Sequence, residues 1–179
     1  MKQNKKLALA LLLSFSLVGI FKVAVPAKGF VDNAPPEITS FSITPLEFDT
    51  SEASQTITIT LGISDSGVGF CPSSVPGCPS SGTSFIWMHI NPMIGNSSQD
   101  LLIGDPARIS GDANSGVYQI TKVVPYGSKD GVWQVSSISL ADTLGNHTEY
   151  VPTNPGAHQL DLDAIPNATG LQIANTATN

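Results

Sequence analysis

The sequence predicts an all-β chain folded as a two-sheet antiparallel sandwich, and three observations carry that prediction. Apolar residues recur at every second position along several segments, 16 Gly and 13 Pro punctuate the intervals between them, and no stretch sustains a 3.6-residue period. Only 12% of the 179 residues are charged, which argues against long soluble helices and excludes a coiled coil. Strands that are apolar on one side only must bury that side, and two stacked sheets are the economical way to do so.

The first segment reads as an address rather than as structure. Lys2, Lys5 and Lys6 precede an apolar run over 7–21, and Val25, Pro26 and Ala27 place small residues where a signal peptidase reads. Residues 1–27 are therefore expected to be a cleaved secretory signal. The competing reading is an uncleaved anchor, but the run falls short of the roughly 20 apolar residues a bilayer core requires. Residues 28–36 read as a linker, 37–151 as the sandwich, and 152–179 as a C-terminal extension or inter-repeat linker. Four of the eight Lys and Arg lie in the first 22 residues, so the remainder carries four cations against 14 acids, a net of −10. Such a body is a poor ligand for nucleic acid or anionic lipid, and it repels a second copy of itself, so a monomer is expected.

The strands follow in order. Residues 37–44 place Phe41 and Ile43 inward and stop at the Thr44-Pro45 step. Residues 55–63 put Ile57, Ile59, Leu61 and Ile63 on one face and Thr56, Thr58 and Thr60 on the other, a period that only a half-buried strand wants. Residues 84–90 are apolar almost throughout, as in a central strand flanked on both faces or beside a loop that folds over it; Trp87 is expected inside and His89 packed. The polar insertion 91–115 has an apolar centre at 101–103 and room for one or two edge strands. Residues 116–124 alternate less cleanly, and Tyr118, Tyr126 and Tyr150 read as exposed contacts.

Residues 131–140 hold the most informative irregularity. Trp133 and Val135 share one parity, Ile138 and Leu140 the other, with Ser136 and Ser137 between. All four enter one core only if the strand shifts phase, which predicts a β-bulge at Ser136 or Ser137. Residues 147–151 follow across a turn at 142–146. In the tail, Leu160 with Leu162 and Leu171 with Ile173 can each add a short strand, and 175–179 are expected to fray.

With export, Cys71 and Cys78 read as a disulfide closing a Pro/Ser/Gly loop, worth roughly 2.5 kcal/mol by chain entropy. Their spacing is not that of a zinc ribbon, and no neighbouring base or cation marks a redox pair.

Three segments in order then resemble a known family: Asp32 to Pro36 with Ser40 to Pro45, Ile63 to Val68, and Gly131 to Asp142 followed by Gly145 and Asn146. From about residue 32 to 151 they are similar to bacterial Ig-like repeats of exported and cell-surface proteins. The resemblance implies an immunoglobulin-like sandwich without catalysis, serving as spacer, adhesion module or appendage of a secreted hydrolase, with Trp133 between the sheets. Such repeats commonly stand in tandem, and residues 170–179 look like a seam leading to another. The disulfide loop and the 91–115 insertion look like local additions, where individual specificity would sit.

Chemistry-bearing constellations are sparse. Asp65, Asp142 and Asn146 close strand ends and could share a Ca²⁺, the one cofactor the sequence suggests, or hold their own turns through backbone N–H groups. The turn role carries more weight, because the runs lack the dense alternation of a calcium loop. No Gly-x-Ser-x-Gly occurs, and His89, His147 and His158 are scattered; a hydrolase would need a Ser or Asp within reach of a His in one cleft. Asp161 and Asp163 share a strand face but read as solvated. The expectation is a secreted, periplasmic or surface module without catalysis, acting by adhesion, binding or spacing on a surface protein or polysaccharide. The second reading is a sugar-binding accessory domain, which an exposed Trp87 would favour.

Overall fold

The computed structural model describes residues 32–78, 84–93, 100–104, 106–152 and 159–178. The signal-peptide reading of 1–27 and residues 28–31 of the linker lie outside these residues. Within them the alternating segments become β1 (Glu37–Thr44), β2 (Glu47–Phe48), β3 (Gln55–Ser64), β4 (Phe85–Pro92), β5 (Leu101–Ile103) and β6 (Ala107–Gly111). They continue as β7 (Ser115–Val124), β8 (Gly131–Ala141), β9 (His147–Val151), β10 (Gln159–Asp161) and β11 (Gln172–Asn175). The only helical element described is a 3₁₀ turn at Leu162–Ala164.

Two sheets result. The first has the order β1-β3-β7-β6, antiparallel throughout, and rests on the β3–β7 ladder from Gln55↔Val124 to Ser64↔Ser115. The second is organised by β8. Strand β4 runs along one edge of β8 from Phe85↔Ala141 to Pro92↔Trp133, with β5 beyond it, so β9 and β11 divide the other edge between the two halves of β8. Strand β10 joins β9, and β2 joins β11, in parallel register, which leaves the sandwich mostly rather than wholly antiparallel.

The phase shift in β8 is present. His89 pairs with Ser137 and Ile90 with Val135, so Ser136 is the extra residue, and Trp133, Val135, Ile138 and Leu140 are all buried. They face Ile57, Ile59, Leu61 and Ile63 of β3, each 1% exposed or less, across one core with Phe41 and Ile43. Each such side chain contributes on the order of 1.5–3 kcal/mol by leaving water. The Trp133 indole N–H is satisfied by the Lys129 carbonyl at 2.8 Å.

Three sequence expectations are corrected. Trp87 is not core: Ile86, Met88 and Ile90 occupy the inward parity of β4, so Trp87 points outward with Phe85 and His89 and is 56% exposed. Tyr118 and Tyr150 are buried rather than exposed, because each hydroxyl has an internal partner: Tyr118 donates to the Phe70 carbonyl (2.6 Å), and Tyr150 accepts from the Ile38 N–H (2.9 Å). Burial pushes both phenols above their ordinary pKa. Nor does Asn175 fray. The tail pairs with β1 at Thr169, enters the second sheet as β11, and buries Asn175 and Ala177.

Candidate binding groove

The sandwich is open where its two sheets stop matching. Strand β6 pairs with β7 only from Gly116 to Gln119, so among the described residues Ile120 to Val124 have no strand partner on that edge. Opposite them β5 ends after three residues. A groove of about 510 Å³ lies in this gap, lined by the start of β4, the end of β5, Ile120 to Lys122 of β7 and the Pro72 to Ser74 stretch of the Cys71–Cys78 loop.

The two cysteines are bonded, with Cα atoms 5.4 Å apart. The loop they close is seated on the body rather than hanging from it. Val75 is buried, the Ser74 hydroxyl donates to the Pro106 carbonyl (2.8 Å), and the Cys71 N–H donates to Ser84 Oγ (3.0 Å). Phe70, just before the loop, meets Tyr118 edge to face at 5.0 Å. The loop is therefore a fixed wall, and the disulfide limits the ways it can collapse into the groove.

Two groups give the groove its chemistry. Phe85 and Trp87, two residues apart on one face of β4, stack with centroids 4.7 Å apart and planes 30° apart. The Trp87 indole also lies against Gly104, where an added Cβ would stand 3.9 Å from Cδ1. Lys122 is the second. It occupies the inward parity of β7 between Ile120 and Val124, and its ammonium reaches across to the Leu102 carbonyl at 2.7 Å, tying the two sheets beside the groove. A lysine at an inward position was the sequence signal that the core opens there; it went unread, as did the parity of Trp87 with His89.

The other sequence candidates lie elsewhere. Asp65, Asp142 and Asn146 do come together at one end of the sandwich, joined by Asp32. Five of the six carboxylate oxygens on the three aspartates already accept N–H groups: Asp32 from Ala34 and Val68, Asp65 from Gly67, and Asp142 from Leu144 and from the Asn146 backbone and amide. The sixth, Asp65 Oδ2, is buried without a hydrogen-bond partner among the described residues. Desolvation, with Asp142 and Asp32 nearby, raises the Asp65 pKa. Among the described residues no group of three His, Cys, Asp or Glu side chains is placed to hold a metal ion. Asp65 and Asp142 each hold their own turn, while Asp32 ties the start of the described chain to Val68 and Asn146.

His89 is half-exposed, not packed, and its Nδ1 lies 2.6 Å from Asp100 Oδ2. Asn91 holds the other oxygen of Asp100 at 2.8 Å and accepts from the Ser136 hydroxyl. This Asp–His pair shares the outward face of β4 with Trp87 but does not line the groove, and no side-chain hydroxyl bonds to the His89 ring among the described residues. His147 is exposed, and His158 lies outside the described residues. Asp161 caps the 3₁₀ turn by accepting from the Asp163 N–H, so these two carboxylates do not face one site as a pair.

Comparison with protein-family models, with curated proteins and with solved structures finds no match. Among the described residues no helix is long and apolar enough to cross a membrane. The disulfide is compatible with an extracytoplasmic location.

Proposed function

We propose that the chain is an exported, non-catalytic immunoglobulin-like module that works at the cell exterior by binding, with the groove beside the disulfide loop as its recognition surface. The observation that carries this reading is Trp87. An indole 56% exposed, stacked on Phe85 and fixed on a central strand at the mouth of a concave site, has no packing role that requires it there. The signal-like N-terminus and the disulfide support export, and the resemblance to bacterial Ig-like repeats supports an accessory or adhesive role.

A module that only spaces its neighbours needs no such surface, and the two roles part experimentally. Fluorescently labelled protein is incubated with envelope material of the producing cell, washed, and compared with Trp87→Ala. Retention that depends on Trp87 is the expected result. Equal retention of both proteins, or none of either, refutes binding through this groove.

A further inference from the structure

We infer that the groove takes carbohydrate, with a pyranose ring lying on the face of Trp87 that Phe85 leaves open. The inference rests on the binding role proposed above and names the ligand class of that site.

A sugar ring has a face of C–H bonds and a rim of hydroxyls, each able both to donate and to accept. The groove offers the complement of both. Its apolar element is the Trp87 indole, backed by Phe85 and carried on a stretch of β4 that is paired with β8, so little ordering is required when a ring settles on it. Its polar element is a set of groups whose second valence is open. Ser84 Oγ accepts from Cys71 N and keeps its own proton to give. Ser74 gives its proton to Pro106 and keeps lone pairs to accept, while Lys122 spends one N–H on Leu102 and retains two. Thr121 adds a further hydroxyl to the lining. These groups are already held by protein bonds, so their directions are set before a ligand arrives.

The alternatives fit less well. A nucleobase would stack equally on Trp87, but its phosphates would meet a chain whose residues 28–179 carry a net charge of −10. A folded protein partner buries about 800 Å² on each side, mostly over a flat patch. A concavity of about 510 Å³ lies within the ~300–1,000 Å³ of small-ligand sites and accommodates a short run of sugar rings.

The test uses the full chain and defined probes. Retention is measured on insoluble cellulose, chitin, starch and peptidoglycan, followed by titration with the soluble hexasaccharide of whichever is bound. Trp133 is buried, so a ligand-dependent loss of acrylamide quenching reports Trp87. The expected result is retention on at least one polysaccharide and protection of Trp87 by its oligosaccharide. Trp87→Ala should then weaken binding roughly tenfold or more, with an unchanged melting midpoint. Phe85→Leu, which keeps bulk but removes the stack, should weaken it less. Retention on none of the four, or equal retention of Trp87→Ala, overturns the inference. The envelope assay separates this failure from that of the broader reading: Trp87-dependent retention abolished by protease but not by periodate means a protein partner, leaving the binding role intact and the sugar refuted.

Discussion

Replacing Asn175 by Ala removes a buried amide that holds three segments together. Its Nδ2 donates to Thr50 Oγ1 (2.8 Å), the Ser128 carbonyl (2.9 Å) and the Lys129 carbonyl (3.0 Å), and its Oδ1 accepts from the Thr50 N–H (3.2 Å). Two of these partners have substitutes after truncation, since Ser128 O also receives the Thr50 hydroxyl and Lys129 O the Trp133 indole. The Thr50 N–H does not. Thr50 is fully buried, and an orphaned buried donor costs about 1–3 kcal/mol, to which the lost net hydrogen bonds add about 1 kcal/mol each. The expected loss is about 4–6 kcal/mol, a fall in melting midpoint of roughly 15 °C for a domain of this size. Equilibrium urea denaturation followed by Trp133 fluorescence measures it, with exposed Gln172→Ala on the same strand as the control, expected to shift stability by less than about 0.5 kcal/mol. An Asn175→Ala variant within about 1 kcal/mol of wild type refutes the claim that the tail is an integral part of the sandwich.

Gly67 faces the Asp32 carboxylate so closely that an added Cβ would stand 1.8 Å from Oδ2, while Val68 and Ala34 N–H groups pin that carboxylate at 2.6 and 2.9 Å. Gly67→Ala should therefore lose about 2–3 kcal/mol in denaturant melts, and Asp32→Ala/Gly67→Ala should lose less than the sum of the single changes. Because the folded pKa of Asp65 is raised, its contribution to stability is full below the unfolded pKa and is lost as pH rises through the folded value. Asp65→Asn should accordingly be at least as stable as wild type at pH 7, with the advantage shrinking as pH falls through the acidic range. The same melts in EDTA and in millimolar Ca²⁺ should coincide, and a calcium-dependent midpoint abolished by Asp65→Asn would establish the cation role instead. Cys71→Ser/Cys78→Ser should lower stability by roughly 2.5 kcal/mol, matched by wild type under reductant, and should weaken whatever the groove binds.

Alternation made most of the ladder legible. The bounds of β1, β5 and β9 follow from where apolar parity begins and where Pro, Gly and Asn interrupt it, and the parity break at Ser136 announced a bulge before any partner strand was known. Strand β4 shows where that reasoning stopped. A run as apolar as 84–90 looks covered on both sides, yet Ile86, Met88 and Ile90 take the inward parity and the face that Trp87 shares with Phe85 and His89 stays 56% open at the indole. The tail misled for a related reason: residues 170–179 are polar and poor in core material, and the single side chain that anchors them is an asparagine, whose value depends on acceptors 46 and 47 residues away.

The amino-acid sequence by itself determined β1, β3, β8 and β9, the inward faces of β1, β3 and β8, the phase shift in β8 and the pairing of the two cysteines, because these depend on local periodicity and on a loop short enough to close. Only the tertiary structure decided that the tail completes the second sheet, that Lys122 bridges the two layers, and that Trp87 and Phe85 border an open groove. Those outcomes depend on which edges remain unpaired when two sheets of unequal extent are stacked, a property of the assembled pair that no single segment encodes.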